Sequence, residues 1–268
     1  GYGSLALMDC LQITQITDLH LGAEANANFA GVNTLDSFKA VLKALDAQGR
    51  GDDLLLLSGD LSAEPSAETY LLLNQVLKEN HKRVIWLPGN HDDFELMRAG
   101  LINYPPSPVT ELGNWGILTL DSSQPGTPIG HIADEQLQQV KMGLEKLAGK
   151  AVLIAMHHSP VEVGCRWLDA QKIENAGDLY DLLIQHGNVK AVLTGHVHQQ
   201  FDGKWGDLAL HTTPSSCIQF KQNSDDFALS GEPPGYRWLD LMADGLIVTG
   251  VEFIDGFDQS PDVQNTGS

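Results

Sequence analysis

Five apolar or β-prone runs, each spilling directly into residues that bind metals, constrain this chain more than any other feature. The runs are Leu11 to Ile16, Leu54 to Leu57, Val84 to Leu87, Ala151 to Met156 and Ala191 to Leu193. The blocks that follow them are Asp18-Leu19-His20, Gly59-Asp60, Gly89-Asn90-His91-Asp92, His157-His158 and Gly195-His196-Val197-His198. A strand that ends in a ligand delivers it to one rim of a sheet, so five such strands can aim their tips at one point. The fold must therefore bring residues scattered over much of the sequence to a single place.

Between these runs lie helical patterns. Asn33 or Thr34 can cap a helix whose apolar positions Leu35, Phe38, Val41, Leu42 and Leu45 keep helical spacing, and Gly49 to Gly51 ends it. Ser66 to Glu79, Ile132 to Leu147 and Ala176 to His186 repeat the amphipathic pattern before a further run. This alternation predicts an α/β fold with helices packed on a sheet. The final third changes character: Leu208 to Thr212, Ser216 to Phe220, Tyr236 to Met242 and Leu246 to Phe253 read as short strands. Asp244-Gly245 is a two-residue hairpin signal, and a second, mostly antiparallel sheet stacked on the first is expected. The proline-rich stretch Tyr104 to Pro108 reads as a loop within one domain over residues 5–256, with 257–268 as a loose polar tail. Residues Gly1 to Ser4 look like an expression scar.

Composition limits the partners. A formal net charge of −19 over 268 residues disfavours a broad nucleic-acid-binding face. It leaves room for a small anionic substrate, because bound cations supply their own local positive charge. Cys10, Cys165 and Cys217 are few, odd in number and form no C-x-x-C pair, which fits a reducing, cytoplasmic setting. No apolar stretch reaches transmembrane length, and the first residues lack the order of a secretory signal.

Each block has its own logic. Asp18 and His20 are two apart and in a strict strand face the same side, as two ligands of one metal. The two oxygens of Asp60 can bridge two cations. In the third block Gly89 allows a sharp exit from the strand, Asn90 offers an amide oxygen, and His91 is left free beside it. His157 ends its apolar run and is favoured over His158 as a ligand; His158 sits near without touching metal. His196 and His198 again stand two apart after a strand. His81, His131, His186 and His211 lie outside the blocks and read as surface or packing residues. Two metals on an acidic protein suggest phosphoester hydrolysis.

In that order D-x-H, GD, GNHD, H and GHxH resemble the five motifs of the calcineurin-like metallophosphoesterases, over Gln12 to His198. The stretch Met156 to Asp169, with Asn175-Ala-Gly-Asp178, Thr213 to Phe220 and Pro234 to Leu239, is similar to the bacterial class III 3′,5′-cyclic nucleotide phosphodiesterases. The resemblance implies a four-layer αββα sandwich with a dinuclear centre at the strand ends. It implies one metal on Asp18, His20, Asp60 and His198, and another on Asp60, Asn90, His157 and His196. Iron or manganese are the implied metals, which suits carboxylate, imidazole and amide donors. Cyclic AMP is the implied substrate and 5′-AMP the product, with His20, Asp60, Asn90, His91 and His198 against the substrate.

From these parts a mechanism follows. Two cations, about 3.5–4 Å apart, bind the diester and a bridging hydroxide that attacks phosphorus in line. His91, with Asn90 beside it, is the candidate catalytic residue that protonates the departing 3′ oxygen. Rival readings are a glycerophosphodiesterase, a nucleotide pyrophosphatase or a broad phosphodiesterase on the same fold, and a silent protein using the metals as a scaffold. A phosphomonoesterase would need arginines beside the second and third motifs. Here Asp60 is followed by Leu-Ser-Ala-Glu-Pro and Asn90 by His-Asp-Asp-Phe. Trp167 and Arg166 are candidates for a base pocket, Arg237 for a structural role, and the expected assembly is a monomer or homodimer.

Overall fold

The computed structural model describes residues 10–50, 53–80 and 83–264. Gly1 to Ser4 and His81 lie outside them. The first part of the chain forms β1 (Leu11–Ile16), a ribbon β2–β3 (Asn28–Phe29 and Val32–Asn33), α1 (Thr34–Ala47), β4 (Leu54–Ser58), α2 (Ala67–Glu79), β5 (Val84–Leu87) and α3 (Phe94–Gly100). Next come β6 (Val109–Leu112), β7 (Trp115–Thr119), α4 (Asp134–Lys146), β8 (Ala151–Ala155), α5 (Arg166–Asp169), α6 (Ala176–Leu183) and β9 (Val189–Thr194). The last part adds β10 (Phe201–Trp205), β11 (Leu208–Thr212), a ribbon β12–β13 (Gln219–Phe220 and Leu229–Ser230), β14 (Gly235–Leu241) and β15 (Ile247–Phe253).

Two sheets result, ordered β15-β14-β1-β4-β5 and β10-β11-β9-β8-β7-β6. The inner strands run parallel: β1 with β4, β4 with β5, β7 with β8, and β8 with β9. Strands buried on both faces need apolar residues at every position, and β4 illustrates this. Leu54 and Leu56 pack between the sheets against Leu153, Leu193 and Trp115, while Leu55 and Leu57 face Phe38, Leu42 and Leu73 of α1 and α2. On the far side, Val152, Ile154 and Val192 pack on Val140 and Leu144 of α4 and Leu179 and Leu183 of α6. Helix, sheet, sheet, helix: the four expected layers are present.

Local signals explain the helix limits. Asn33 caps α1 by accepting from the Asp36 N–H, and Ser66 caps α2 by accepting from the Thr69 N–H. At the other end of α1, Arg50 N–H reaches the Leu45 carbonyl at 2.9 Å and Gly49 N–H the Asp46 carbonyl at 3.1 Å. Gly49 has φ 67°, the left-handed residue this Schellman stop requires.

Several expectations need correction. Apart from the ribbon β12–β13, the final third joins the sheets already formed: β14 and β15 extend the first sheet beside β1, whereas β10 and β11 extend the second beside β9. The strand expected over Ser216 to Phe220 is only Gln219–Phe220, because Ser215 and Ser216 turn toward the rim of β1, where Ser215 Oγ donates to the Asp18 carbonyl at 2.8 Å. The last hairpin closes one residue wider than two, with Met242 N–H on the Leu246 carbonyl at 2.9 Å and Gly245 at φ 90°. Residues 257–262, expected to be loose, are tied down. Phe257 packs on the core, Gln259 accepts from the Asn33 N–H at 2.7 Å, and Asp262 N–H meets the Ala30 carbonyl at 2.8 Å. Arg237 is fully buried and donates to Asp202, Thr249 and the Thr212 carbonyl, a structural tie between the sheets. Among the described residues no helix is long and apolar enough to cross a membrane.

Candidate metal centre

The parallel strands β1, β4, β5, β8 and β9 deliver their carboxyl ends to one rim, the place where open α/β sheets bind ligands. There the chain does not stay extended. Asp18, His20, Asp60, His196 and His198 have φ of 56°, 47°, 51°, 71° and 47°, a left-handed conformation that costs a non-glycine residue about 1–2 kcal/mol. The expected strand alternation of Asp18 and His20 is thus replaced by a curl. It is pinned by Asp18 N–H on the Gly59 carbonyl and His20 N–H on the Asp60 carbonyl, each at 2.9 Å. Strain of this kind persists where surrounding structure over-determines it.

The glycines are needed for space. A Cβ on Gly89 would overlap Asp60, and one on Gly195 would overlap Thr17 and Asp18. Gly89 does not have a positive φ, so close approach to Asp60 accounts for it, not the sharp turn expected from the sequence.

Two triads of ligand-type atoms converge at this rim: Asp18, His20 and His198, and Asp60, His157 and His196, with each triad's atoms within 4.8 Å of one another. His157 Nε2 lies 3.2 Å from Asp60 Oδ2 and 3.8 Å from Asp18 Oδ1, and His198 Nε2 lies 3.2 Å from Asp18 Oδ1. His20 and His198 bring their Nε2 atoms within 3.2 Å. Buried polar atoms normally have hydrogen-bond partners, yet Asp18 Oδ1, His20 Nδ1, Asn90 Oδ1, His157 Nε2 and His196 Nδ1 make no hydrogen bond. The orphaned atoms of Asp18, Asn90, His157 and His196 fit a candidate cation site, while His20 turns its Nε2, not its orphaned Nδ1, toward Asp18 and Asp60.

Electrostatics agree. Burial works against charge on Asp18, but His198 and His157 overcome it and hold the carboxyl at about 2. Asp60 is likewise held well below the usual carboxylate range by His157 and His20 against its burial. His157 is raised to about 10: burial opposes its proton, and Asp60 with Asp18 more than compensates. Burial drives His20 and His196 down to about 3, so both are neutral and have lone pairs to share. A proton on His157 stands where a cation's charge is wanted.

His158 behaves differently from His157. Its Nδ1 lies 2.7 Å from Ser122 Oγ and its Nε2 2.9 Å from the Pro128 carbonyl, so both ring nitrogens are engaged within the protein. His91 is exposed, with Nδ1 3.0 Å from the Ala63 carbonyl and its backbone N–H on Asp60 Oδ1 at 2.9 Å. Of the outlying histidines, His211 pairs with Asp202 at 2.6 Å and His131 with Glu174 at 3.2 Å, away from the rim.

Sequence reasoning missed the residues that brace the ligands. Asp92 accepts from Ser62 N–H, Ser62 Oγ and Tyr70 Oη through Oδ1, and from Leu61 N–H and Gly89 N–H through Oδ2. It clamps the turn after β4 to the turn after β5. Thr17 Oγ1 donates to Asp18 Oδ2 at 2.7 Å, and the His196 N–H reaches the same oxygen at 2.9 Å. The final Asp of GNHD was a visible signal for the clamp; nothing in the sequence marked Gln171, whose Oε1 lies 2.8 Å from His196 Nε2.

A cavity of about 450 Å³ opens over the centre, a size usual for small-molecule sites. Its lining combines His20, Asp60, Asn90, His91, His196 and His198 with the aromatic rings of Phe29, Trp167, Phe220 and Phe227. Trp167 meets Phe220 and Phe227 edge-on or tilted at 4.9 and 5.3 Å, and Phe220 stacks on His198 at 4.0 Å. Arg166 lines a separate surface depression with Glu162 and Lys172, and among the described residues no lysine or arginine lines the main cavity.

A family model described as calcineurin-like phosphoesterase matches residues 11–200. The chain is 36% identical over 260 residues to the 3′,5′-cyclic adenosine monophosphate phosphodiesterase CpdA of Escherichia coli K12, covering 96% of this chain and 94% of that protein. It is 35% identical to a 3′,5′-cyclic-nucleotide phosphodiesterase of Nostoc, covering 90% and 92% of the two chains. Among solved structures, a dimetal phosphatase from Danio rerio has the same fold, with a TM-score of 0.57 at 13% identity over 89% of this chain and 98% of that one. The strand-end triads and the match across both sheets lead to one assignment: this chain belongs to the calcineurin-like phosphoesterase family.

Proposed function

We propose that this protein is a metal-dependent phosphodiesterase that opens 3′,5′-cyclic nucleotides, cyclic AMP foremost, to the 5′-monophosphate. The observation that carries the reading is the cavity's lining: ligand-type side chains together with the aromatic rings of Phe29, Trp167, Phe220 and Phe227, and, among the described residues, no lysine or arginine. A cyclic diester carries a single negative charge and needs no arginine fork, unlike a phosphomonoester dianion. The aromatic rings suit a nucleobase. The similarity to cyclic nucleotide phosphodiesterases over nearly the whole chain supports the same substrate class.

In this reading Asp18, His20, Asp60 and His198 hold one cation, and Asp60, Asn90, His157 and His196 hold the other. Iron and manganese suit these donors. Once bound, the pair supplies positive charge for the diester and lowers the pKa of a water nucleophile. The chain's own residues do the rest. Asn90 and His91 follow β5 on the turn that Asp92 clamps, so both are held in place. The Ala63 carbonyl accepts from His91 Nδ1, which leaves Nε2 as the nitrogen that hands a proton to the departing 3′ oxygen. Trp167 and Phe220 flank the base and exclude water from it. A cytoplasmic setting fits the three free thiols.

The test is a substrate panel resolved by chromatography, using metal-reconstituted protein. Cyclic AMP should be hydrolysed far faster than glycerophosphodiesters or linear dinucleotides. Equal rates on all three would demote the reading to a general phosphodiesterase, and failure to turn over even bis-p-nitrophenyl phosphate would favour a non-catalytic scaffold.

A further inference from the structure

The imidazoles at the rim are not held alike. His157 Nδ1 lies 2.8 Å from the Ser58 carbonyl and His198 Nδ1 lies 2.8 Å from the Ile218 carbonyl. Both partners are backbone groups of the frame. His196 is held instead by a side chain, with Nε2 2.8 Å from Gln171 Oε1. An amide oxygen can only accept, so His196 Nε2 carries the proton and Nδ1 has the lone pair. That Nδ1 is buried and without any partner, and His196 shares a triad with Asp60 and His157.

We propose that Gln171 is a positioning residue: it fixes the tautomer and ring orientation of His196 so that Nδ1 serves the cation held with Asp60 and His157. The inference rests on the reading that the triads hold cations. Gln171 belongs to the segment that carries Trp167 and Leu168 into the cavity wall. Its own backbone is anchored, with Gly130 N–H on its carbonyl at 3.0 Å and its N–H on the Leu168 carbonyl at 2.9 Å. Through this one amide the segment carrying Trp167 is hydrogen-bonded to the site of Asp60 and His157, whereas Phe220 meets His198 of the other site by ring stacking. Without an acceptor on Nε2, the Nδ1–H tautomer competes and blocks the ligating nitrogen. A partner of this kind typically changes metal affinity about 10–100-fold.

Two variants of the full chain test this, Gln171→Met, which has similar length and no acceptor, and Gln171→Glu, which restores a stronger one. Chelator-stripped protein is equilibrated with Mn²⁺; bound metal is counted by mass spectrometry, and spin coupling is read by electron paramagnetic resonance. The wild type should take two equivalents with a coupled spectrum. Gln171→Met should keep one at wild-type affinity, lose about 10–100-fold at the other and show an uncoupled spectrum, while Gln171→Glu keeps both. Wild-type binding of both equivalents by Gln171→Met, simultaneous loss of both, or equal loss in Gln171→Glu would overturn the proposal. A wild-type chain that itself takes no pair of cations would instead sink the reading beneath it.

Discussion

Replacing Asp92 by asparagine keeps the shape of the clamp between the turns after β4 and β5 but reverses half of its chemistry. The carboxylate accepts five hydrogen bonds, two of them through Oδ2 from Leu61 N–H at 3.1 Å and Gly89 N–H at 2.9 Å. An asparagine amide nitrogen placed at Oδ2 can only donate, so both backbone N–H groups face a donor. Leu61 is fully buried, and water cannot fill the gap. A buried group left unsatisfied costs about 1–3 kcal/mol, so the pair should cost about 4 kcal/mol together. For a chain of this size 1 kcal/mol is worth roughly 2–4 °C in melting temperature, which gives a fall on the order of 10 °C. The assay is calorimetry on chelator-stripped wild type and Asp92→Asn at neutral pH, so that lost metal does not contribute. Tyr70→Phe removes the 2.7 Å donation from Oη to Oδ1 and a longer bond from the Asp93 N–H at 3.3 Å, and should cost about 1–2 kcal/mol. Because both residues share one network, the double variant should lose less than the sum. A melting temperature unchanged in Asp92→Asn, or strict additivity with Tyr70→Phe, would refute the clamp.

Three further outcomes are expected. His91→Ala should retain both metals yet lose about 10²–10⁴-fold in turnover; wild-type kcat in a metal-replete variant would remove His91 from the proton-donor role. Trp167→Ala should raise KM for cyclic AMP by the worth of one base–aromatic contact, about 1–3 kcal/mol, and leave hydrolysis of bis-p-nitrophenyl phosphate nearly untouched; equal loss on both substrates would point to a collapsed site. Metal affinity should rise with pH, because His157, raised to about 10, carries a proton through neutrality that an incoming cation must displace. Calorimetry at pH 7.5 in buffers of differing ionisation heat should register about one proton released from this residue, and affinity independent of pH between 7 and 9 would contradict it.

Much of the frame could be read from the sequence because parallel strands buried on both faces leave unbroken apolar runs, as at Leu54 to Leu57 and Ala151 to Ala155. The cap at Asn33 and the stop at Gly49 were equally visible, since both act through their nearest neighbours in the chain. The hairpin β6–β7 was overlooked although Gly113-Asn114 between Leu112 and Trp115 is a two-residue turn signal, with Gly113 at φ 53°. Pairing of the final third was not legible: nothing local to Leu208 or Tyr236 says which sheet each strand will join. At the rim, spacing placed Asp18 and His20 together, but the left-handed backbone that turns them inward depends on bonds to Gly59 and Asp60, some 40 positions away. Asp92 at least stood inside the GNHD block, whereas Gln171 acts on His196 from 25 positions away and residue type alone gave it no distinct mark.

The central claim is that residues from five strand ends hold two cations side by side. Anomalous diffraction from crystals of the manganese-loaded protein tests it most directly. The account predicts two peaks per chain, one within ligand distance of Asp18, His20 and His198, the other within ligand distance of Asp60, His157 and His196. A single peak, or manganese bound only outside these triads, would contradict it.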